Sequence, residues 1–361
     1  MLSIRDDDRM GQGGASSLDD RDRGIARVAV VGCGTVGASW AALFMAHGIA
    51  VAATDPGPGA EEKLRAFVAG AQAQLDALGL DGRGALRFVP TLEQALDGAE
   101  FVQENAPEDE TLKRSILADL DRLAAPGVMV ASSTSALVRS RIVADCVTPE
   151  RVIVAHPFNP PHLMPLVEIV AGDATTAARA CAFYRGLGRC PVVLRREMPG
   201  HIANRLASAL YREAVNLLAE DVASVADIDA ALCNGPGLRW ALMGPHMTYH
   251  LGGGAGGIAH YLAHLGPSQV RRWASLGTPA FTEEVRAGIV AGIAEEAGGR
   301  SIAELEARRD RGLIDILKAR TLVAPQDGMA PQEGAVPRDG AAPQDGAAAP
   351  DDGAGGRSTP A

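Results

Sequence analysis

The sequence predicts an α/β domain with a doubly wound parallel sheet, followed by an all-α domain. Three observations predict it. Between residues 25 and 197, short apolar runs alternate with longer stretches of helical spacing. Strand-like runs then stop, and only helical patterns continue over residues 198–322. A Gly-x-Gly-x-x-Gly motif stands at the first strand-to-helix junction, where a tight turn is needed.

Taken in order, residues 1–24 are rich in Asp, Arg and Gly and read as disordered. "RVAVVG" (27–32) and "AVAATD" (50–55) are strands flanking the helical "VGASWAALFMAHG". "LRFV", "EFVQEN", "VMVASS", "RVIVAHP", "LVEIV" and "PVVLR" are the later strands. "HIANRLASALYREAVNLLAEDV" repeats apolar residues at helical spacing. "SVADIDAAL" opens with an N-capping Ser224 and with Asp227 three residues on. Residues 323–361 repeat a Pro- and Gly-rich acidic hexamer, with Pro325, Pro331, Pro337 and Pro343 in register. Such a segment buries no core and reads as a flexible tail.

Composition narrows the function classes. With 361 residues and 47% hydrophobic content the chain can fill two domains. Aromatics are only 4%, so small side chains must pack the helices closely. The net charge of −10 argues against nucleic acid as the main partner. No apolar run approaches the ~18 residues of a membrane span, and the N-terminus lacks the apolar core of a signal peptide. The cysteines, Cys33, Cys146, Cys181, Cys190 and Cys233, are odd in number and form no CxxC. They read as reduced thiols of a cytoplasmic protein. His246 and His250, and His260 and His264, are i, i+4 pairs, but no neighbouring acid completes a metal set, so no metal is expected.

The glycine motif points to a dinucleotide. Gly32, Gly34 and Gly37 enclose Thr35 and Val36 between a strand and a helix, the Rossmann-type context. The glycines let backbone approach a pyrophosphate, and the helix N-terminus stabilises its charge. Asp55 ends the second strand, placed to accept hydrogen bonds from the adenosine ribose hydroxyls. It would repel the extra phosphate of NADP, and no Arg follows at once to offset it, so NAD is the expected cofactor. FAD shares the fingerprint.

The chemistry-bearing residues lie further on. Ser135 ends a strand, and "HPFNPP" holds His156 and Asn159. Glu168 sits inside the apolar "LVEIV", and Asn204 lies in "PGHIANRL". An unpaired buried carboxylate is costly, so Glu168 needs a partner, and His156 is the natural one. A base with its orienter is the arrangement of general acid–base sites. The prolines between them, Pro157, Pro160, Pro161 and Pro165, stiffen the connection.

The glycine loop, "SSTS", "HPFNPP…LVE" and "GHIANRL" together resemble the 3-hydroxyacyl-CoA dehydrogenase family, over residues 26–320. Within it, "ATDPGPGAEEKLRAFV" and "GPGLRWALMGP" are similar to the branch acting on free hydroxy acids, that of L-carnitine 3-dehydrogenase and L-gulonate 3-dehydrogenase (lambda-crystallin). The resemblance implies roles. His156 takes the proton of the substrate's 3-hydroxyl as hydride leaves for NAD. Glu168 holds its tautomer, and Ser135 and Asn204 bond the reacting oxygen or the nicotinamide. Glu108 and Lys113 match positions near the nicotinamide ribose. It further implies a homodimer formed through the helical domain. One alternative is a hydroxyacyl-CoA or carrier-bound substrate; another, of a different class, is an NAD-binding structural or sensor protein. CoA users carry a lysine-rich stretch after the second strand, whereas here Glu61 and Glu62 oppose one Lys and one Arg. Arg239 and Trp240 replace smaller uncharged residues. Arg can bind a carboxylate, and Trp can face a quaternary ammonium.

Overall fold

The computed structural model describes residues 24–323. The terminal segments expected to be disordered lie outside the described residues but for Gly24 and Val323, and the hexamer repeat lies outside them too. The first part of the chain runs β1 (Arg27–Val31), α1 (Thr35–Ala46), β2 (Ala50–Thr54), α2 (Ala60–Ala77), β3 (Leu86–Phe88), α3 (Leu92–Leu96), β4 (Phe101–Glu104), α4 (Glu110–Leu123), β5 (Met129–Ser132), α5 (Arg139–Ile142), β6 (Val152–Pro157), β7 (Leu166–Val170), α6 (Ala174–Gly186) and β8 (Cys190–Val193). Every strand coincides with an apolar run. β4, β5 and β6 are buried along their whole length, which is why they read as unbroken runs rather than alternating ones.

The strand order is β3-β2-β1-β4-β5-β6-β7-β8. Helices cover both faces, each over its own core. On one, Trp40 and Phe44 of α1 stack at 5.5 Å and meet Tyr184 of α6. Tyr184 is fully buried and donates its hydroxyl to Gln103 at 2.7 Å, which satisfies both polar groups. On the other, Leu117 and Leu120 of α4 pack on Val130, Val152 and Val154. The strand order reverses between β1 and β4, which opens the switch-point crevice at the C-terminal strand ends.

Contrary to what the sequence predicts, the sheet is not parallel throughout. The sheet is parallel from β3 through β6, but β7 pairs antiparallel with β6. Residues 158–165 are too few for the crossover of a dozen or more residues that a parallel return requires. The chain therefore turns back, and β8 then pairs parallel with β7.

The second part is helical: α7 (Ala203–Ala219), α8 (Val225–Asn234), α9 (Pro236–Trp240), α10 (Pro245–Gly252), α11 (Gly257–Ala274), α12 (Glu283–Ala297) and α13 (Ile302–Val323). Ser224 caps α8 as its sequence predicts, accepting the Asp227 N–H at 3.1 Å and donating to its carboxylate at 2.7 Å. α13 returns to the sheet domain, where Gln74 of α2 donates to Asp310 at 3.0 Å. Between them these helices bury little: Val215 of α7 is one of the few buried apolar side chains among their described residues. Leu206, Leu238, Leu251, Leu262, Trp273 and Val290 all stand exposed.

Candidate active site

The glycine turn is built to take an anion. Gly32 has φ +86°, and a Cβ there would meet the Asn105 backbone at 2.7 Å. A Cβ on Gly37 would collide with the Gly32 carbonyl at 1.9 Å, so the helix seats close against the strand. Gly34 faces open space, with Thr35 exposed and Val36 half-buried beside it. No side chain caps α1, so its first N–H groups are free to meet a phosphate. Asp55 is fixed by two backbone donors, Cys33 N–H at 2.6 Å and Gly57 N–H at 2.7 Å. A groove beside it is lined by Gly57, Gly59, Ala60 and Phe88. Burial and the neighbouring Asp55 push the Cys33 thiol up to about 12, so it stays protonated and unreactive.

Glu108 and Lys113 have different surroundings. Glu108 Oε1 accepts from Thr134 Oγ1 at 2.7 Å, Ser135 N–H at 2.9 Å and Ala136 N–H at 2.8 Å, with Ser135 Oγ at 3.2 Å. Burial acts to raise its pKa, but these donors and Lys113 outweigh it and hold the carboxyl below its usual range. Lys113 is buried, and its ammonium donates to Glu104 and to the Ala106 carbonyl, both at 2.9 Å. Glu104 also accepts from Ser132 Oγ and from Ala106 N–H. Sequence reasoning missed this buried pair, although Glu104 and Lys113 stand close together in the stretch "ENAPEDETLK".

The predicted pair forms across β6 and β7. His156 and Glu168 are register partners, and His156 Nδ1–H donates to Glu168 Oε2 at 2.8 Å. The other carboxylate oxygen accepts Ile202 N–H at 2.8 Å and Ala203 N–H at 3.0 Å, from the start of α7. Burial favours a neutral Glu168, but the bonds from His156, Ala203 and Ile202 prevail and keep its carboxyl ionised below the usual range. With Nδ1–H engaged, Nε2 of His156 is left with its lone pair, the form a general base requires.

The remaining residues separate into two groups. Asn204 Nδ2 donates to the Ser135 carbonyl at 3.2 Å, so the α7 start and the 134–136 turn meet. The structure thereby brings Ser135, His156, Glu168, Asn204 and Glu108 into one connected constellation. Asn159 stands exposed in the loop between β6 and β7. Arg239 and Trp240 stand exposed on α9, which packs on α8 and α10. Among the described residues no hydrogen bond joins their side chains to the dyad. A residue that sequence reasoning passed over is His201, inside the quoted "PGHIANRL". Its ring centroid lies 5.0 Å from that of His156.

Residues 27–198 match the NAD binding domain of 3-hydroxyacyl-CoA dehydrogenase, and residues 200–282 match its C-terminal domain. The chain belongs to the 3-hydroxyacyl-CoA dehydrogenase family. As a member it is an NAD-dependent oxidoreductase, and the glycine turn and Asp55 lie inside the matched NAD binding domain. The chain is 47% identical to the L-carnitine dehydrogenase of Streptomyces coelicolor over 310 residues, covering 84% of this chain and 97% of that protein. It is 44% identical to the L-carnitine dehydrogenase of Pseudomonas aeruginosa over 301 residues, covering 82% and 94%. Among solved structures, a 5-formyl-3-hydroxy-2-methylpyridine 4-carboxylic acid 5-dehydrogenase, described as an NAD-dependent dismutase, superposes with a TM-score of 0.71 at 29% identity, covering 82% of this chain and 99% of that one. The 3-hydroxyacyl-CoA dehydrogenase of Archaeoglobus fulgidus does so at 0.56 and 26%, covering 81% and 99%.

Proposed function

We propose that this family member oxidises the 3-hydroxyl of a small free hydroxy acid to the 3-oxo acid, with L-carnitine ahead of L-gulonate as substrate. The observation that carries the reading is the His156–Glu168 pair at 2.8 Å, tied by Ile202 and Ala203 to the helix that bears Asn204. Relatives that cover more than four fifths of the chain and are named L-carnitine dehydrogenase support the substrate class.

In this reading Nε2 of His156 takes the proton from the substrate hydroxyl. Glu168 holds the imidazole in the correct tautomer and stabilises the imidazolium that forms. A bound NAD would supply the hydride acceptor for the carbon that bears this hydroxyl. Ser135 and Asn204 orient the reacting oxygen or the nicotinamide, and Gly32, Gly34, Thr35, Val36, Gly37 and Asp55 hold the dinucleotide. Glu108 fixes the turn carrying Ser135, and Lys113 fixes Glu104 and the backbone before Glu108. The part assigned to these two is thus to shape the nicotinamide side of the site. Arg239 takes the substrate carboxylate, Trp240 the quaternary ammonium, and Asn159 lines the approach to His156.

A hydroxyacyl-CoA substrate is the second reading, favoured by the family to which the chain belongs. Against it, α2 opens with Glu61 and Glu62, and Glu61 pairs with Arg65 at 2.8 Å, which leaves little positive charge for CoA phosphates. The apolar side chains exposed on α7 to α12 support a homodimer that covers them. Unpaired cysteines support a reducing, cytoplasmic setting. No described helix is long and apolar enough to cross a membrane. The test is a panel of free hydroxy acids with NAD, followed by NADH absorbance, with His156→Gln as the blank. Turnover of none of them by the parent protein overturns the reading.

A further inference from the structure

His201 combines two local costs at one residue. Its backbone φ is +49°, a region non-glycine residues rarely adopt. Its Nδ1 is a buried side-chain atom with no hydrogen-bond partner, whereas buried polar atoms are nearly always paired. Strain and unsatisfied groups persist where surrounding structure enforces them, and they cluster at functional sites.

The surroundings show what enforces them. Nε2–H of His201 donates to the Thr134 carbonyl at 3.2 Å. That carbonyl belongs to the turn that carries Ser135 and is gripped from the other side by Glu108. The ring lies against His156 at 5.0 Å with the planes tilted by 38°. The next two residues, Ile202 and Ala203, are the donors to Glu168. One side chain therefore touches the turn of Ser135 and the ring of the base, and its backbone leads into the cap on the orienter.

The protonation state follows from the partners. A backbone carbonyl only accepts, so Nε2 carries the hydrogen and Nδ1 the lone pair. A second proton on Nδ1 would be buried without an acceptor. Burial and the adjacent His156 hold the imidazole below its ordinary pKa, opposed by the Thr134 bond and by the carboxylates Glu168 and Glu108. A neutral ring is what a general base needs beside it, because an imidazolium there would oppose protonation of His156.

We propose that His201 is a positioning residue of the reaction centre, which braces the face of His156 and anchors the Ser135 turn through Thr134. The inference rests on the dehydrogenase reading for its kinetic arm. His201→Phe keeps a ring of similar bulk and removes the donor. His201→Gln restores a donor at a similar reach. His201→Phe is expected to lower kcat with the best hydroxy acid about tenfold or more. NADH affinity by fluorescence titration and Tm should remain near the parent values, and His201→Gln should recover most of the loss. A kcat within twofold of the parent for His201→Phe, or equal impairment of both variants, overturns the proposal. The second arm needs no turnover. Nitrogen NMR of histidine-labelled protein at pH 7 should show, beside the ring of His162, a further neutral ring protonated at Nε2 that disappears in His201→Gln. A His201 ring found protonated at Nδ1 overturns the proposal even if no substrate is turned over. Absence of turnover in the parent alone overturns the function reading instead.

Discussion

Glu168 reaches His156 across an antiparallel strand pair, with 2.8 Å between carboxylate and imidazole and a helix start closing over the other carboxylate oxygen. The two residues are direct register partners, so the pleat itself sets their distance. The stiff proline connection then has a physical purpose. It turns the chain back tightly enough that His156 and Glu168 lie side by side.

Removing either partner should therefore disable chemistry and spare cofactor binding. His156→Gln is expected to lower kcat by roughly 10²–10⁴-fold. Glu168→Gln should also slow turnover, because the imidazolium loses its counter-charge. Steady-state kinetics beside an NADH fluorescence titration checks both variants. Near-normal turnover of His156→Gln would assign the base elsewhere.

Asp55 should set cofactor choice. Its carboxylate is held by Cys33 and Gly57 and stands at the end of β2, where the adenosine ribose of NAD is bound in such folds. The parent should prefer NAD to NADP. Asp55→Ser should narrow that preference by about tenfold or more, since one lost charge repulsion of ~1.4 kcal/mol is a factor of ten. The ratio of kcat/KM for the two cofactors measures it. Equal use of NADP by the parent would remove Asp55 from this role.

His162 should make stability depend on pH. It is buried, accepts from Ser39 Oγ at 2.7 Å and donates to Gln74 at 2.6 Å, joining α1 to α2. Burial pushes its imidazole down to about 4 from 6.5, with Arg189 and Arg309 adding and Asp310 opposing. A depressed folded pKa means that the unfolded chain binds the proton more readily. The stability is then fully present above about pH 6.5 and is lost as pH falls toward 4, by about 3 kcal/mol. His162→Gln should flatten denaturant midpoints over that window. His201 has a depressed pKa as well, so some slope should remain. An unchanged slope would contradict the assignment.

Arg239 should matter for substrate and not for cofactor. A free hydroxy acid brings a carboxylate into the site, and a charge-assisted bond to it is worth roughly 1.5–3 kcal/mol. Arg239→Met should raise KM for the hydroxy acid about tenfold or more, with NADH affinity unchanged. An unaltered KM for every accepted acid would leave Arg239 a surface residue of α9.

Much of this was readable in the chain because it depends on local rules. Strands that are covered on both faces appear as apolar runs, and a turn that needs glycines shows them at Gly32 and Gly37. The His156–Glu168 pair was legible because a carboxylate among Val and Ile demands a partner. Strand direction was not legible, since apolar spacing is the same in both directions. β7 betrays its reversal only through the short connection before it. Contacts between distant residues were hidden for a similar reason. Ser39 and His162 are 123 positions apart, and nothing in either segment names the other. The burial of Lys113 was hidden because its partner, Glu104, lies on a strand and not on its own helix. His201 carried no periodic signal, and only the three-dimensional packing against His156 sets it apart.

The central claim is that the substrate is a free hydroxy acid. It is tested most directly by comparing kcat/KM of the parent protein for L-carnitine and for 3-hydroxybutyryl-CoA, at saturating NAD and by the same NADH absorbance. A preference for L-carnitine of at least about tenfold is expected, a difference of ~1.4 kcal/mol in transition-state binding. Efficient oxidation of 3-hydroxybutyryl-CoA with none of L-carnitine or L-gulonate would contradict it.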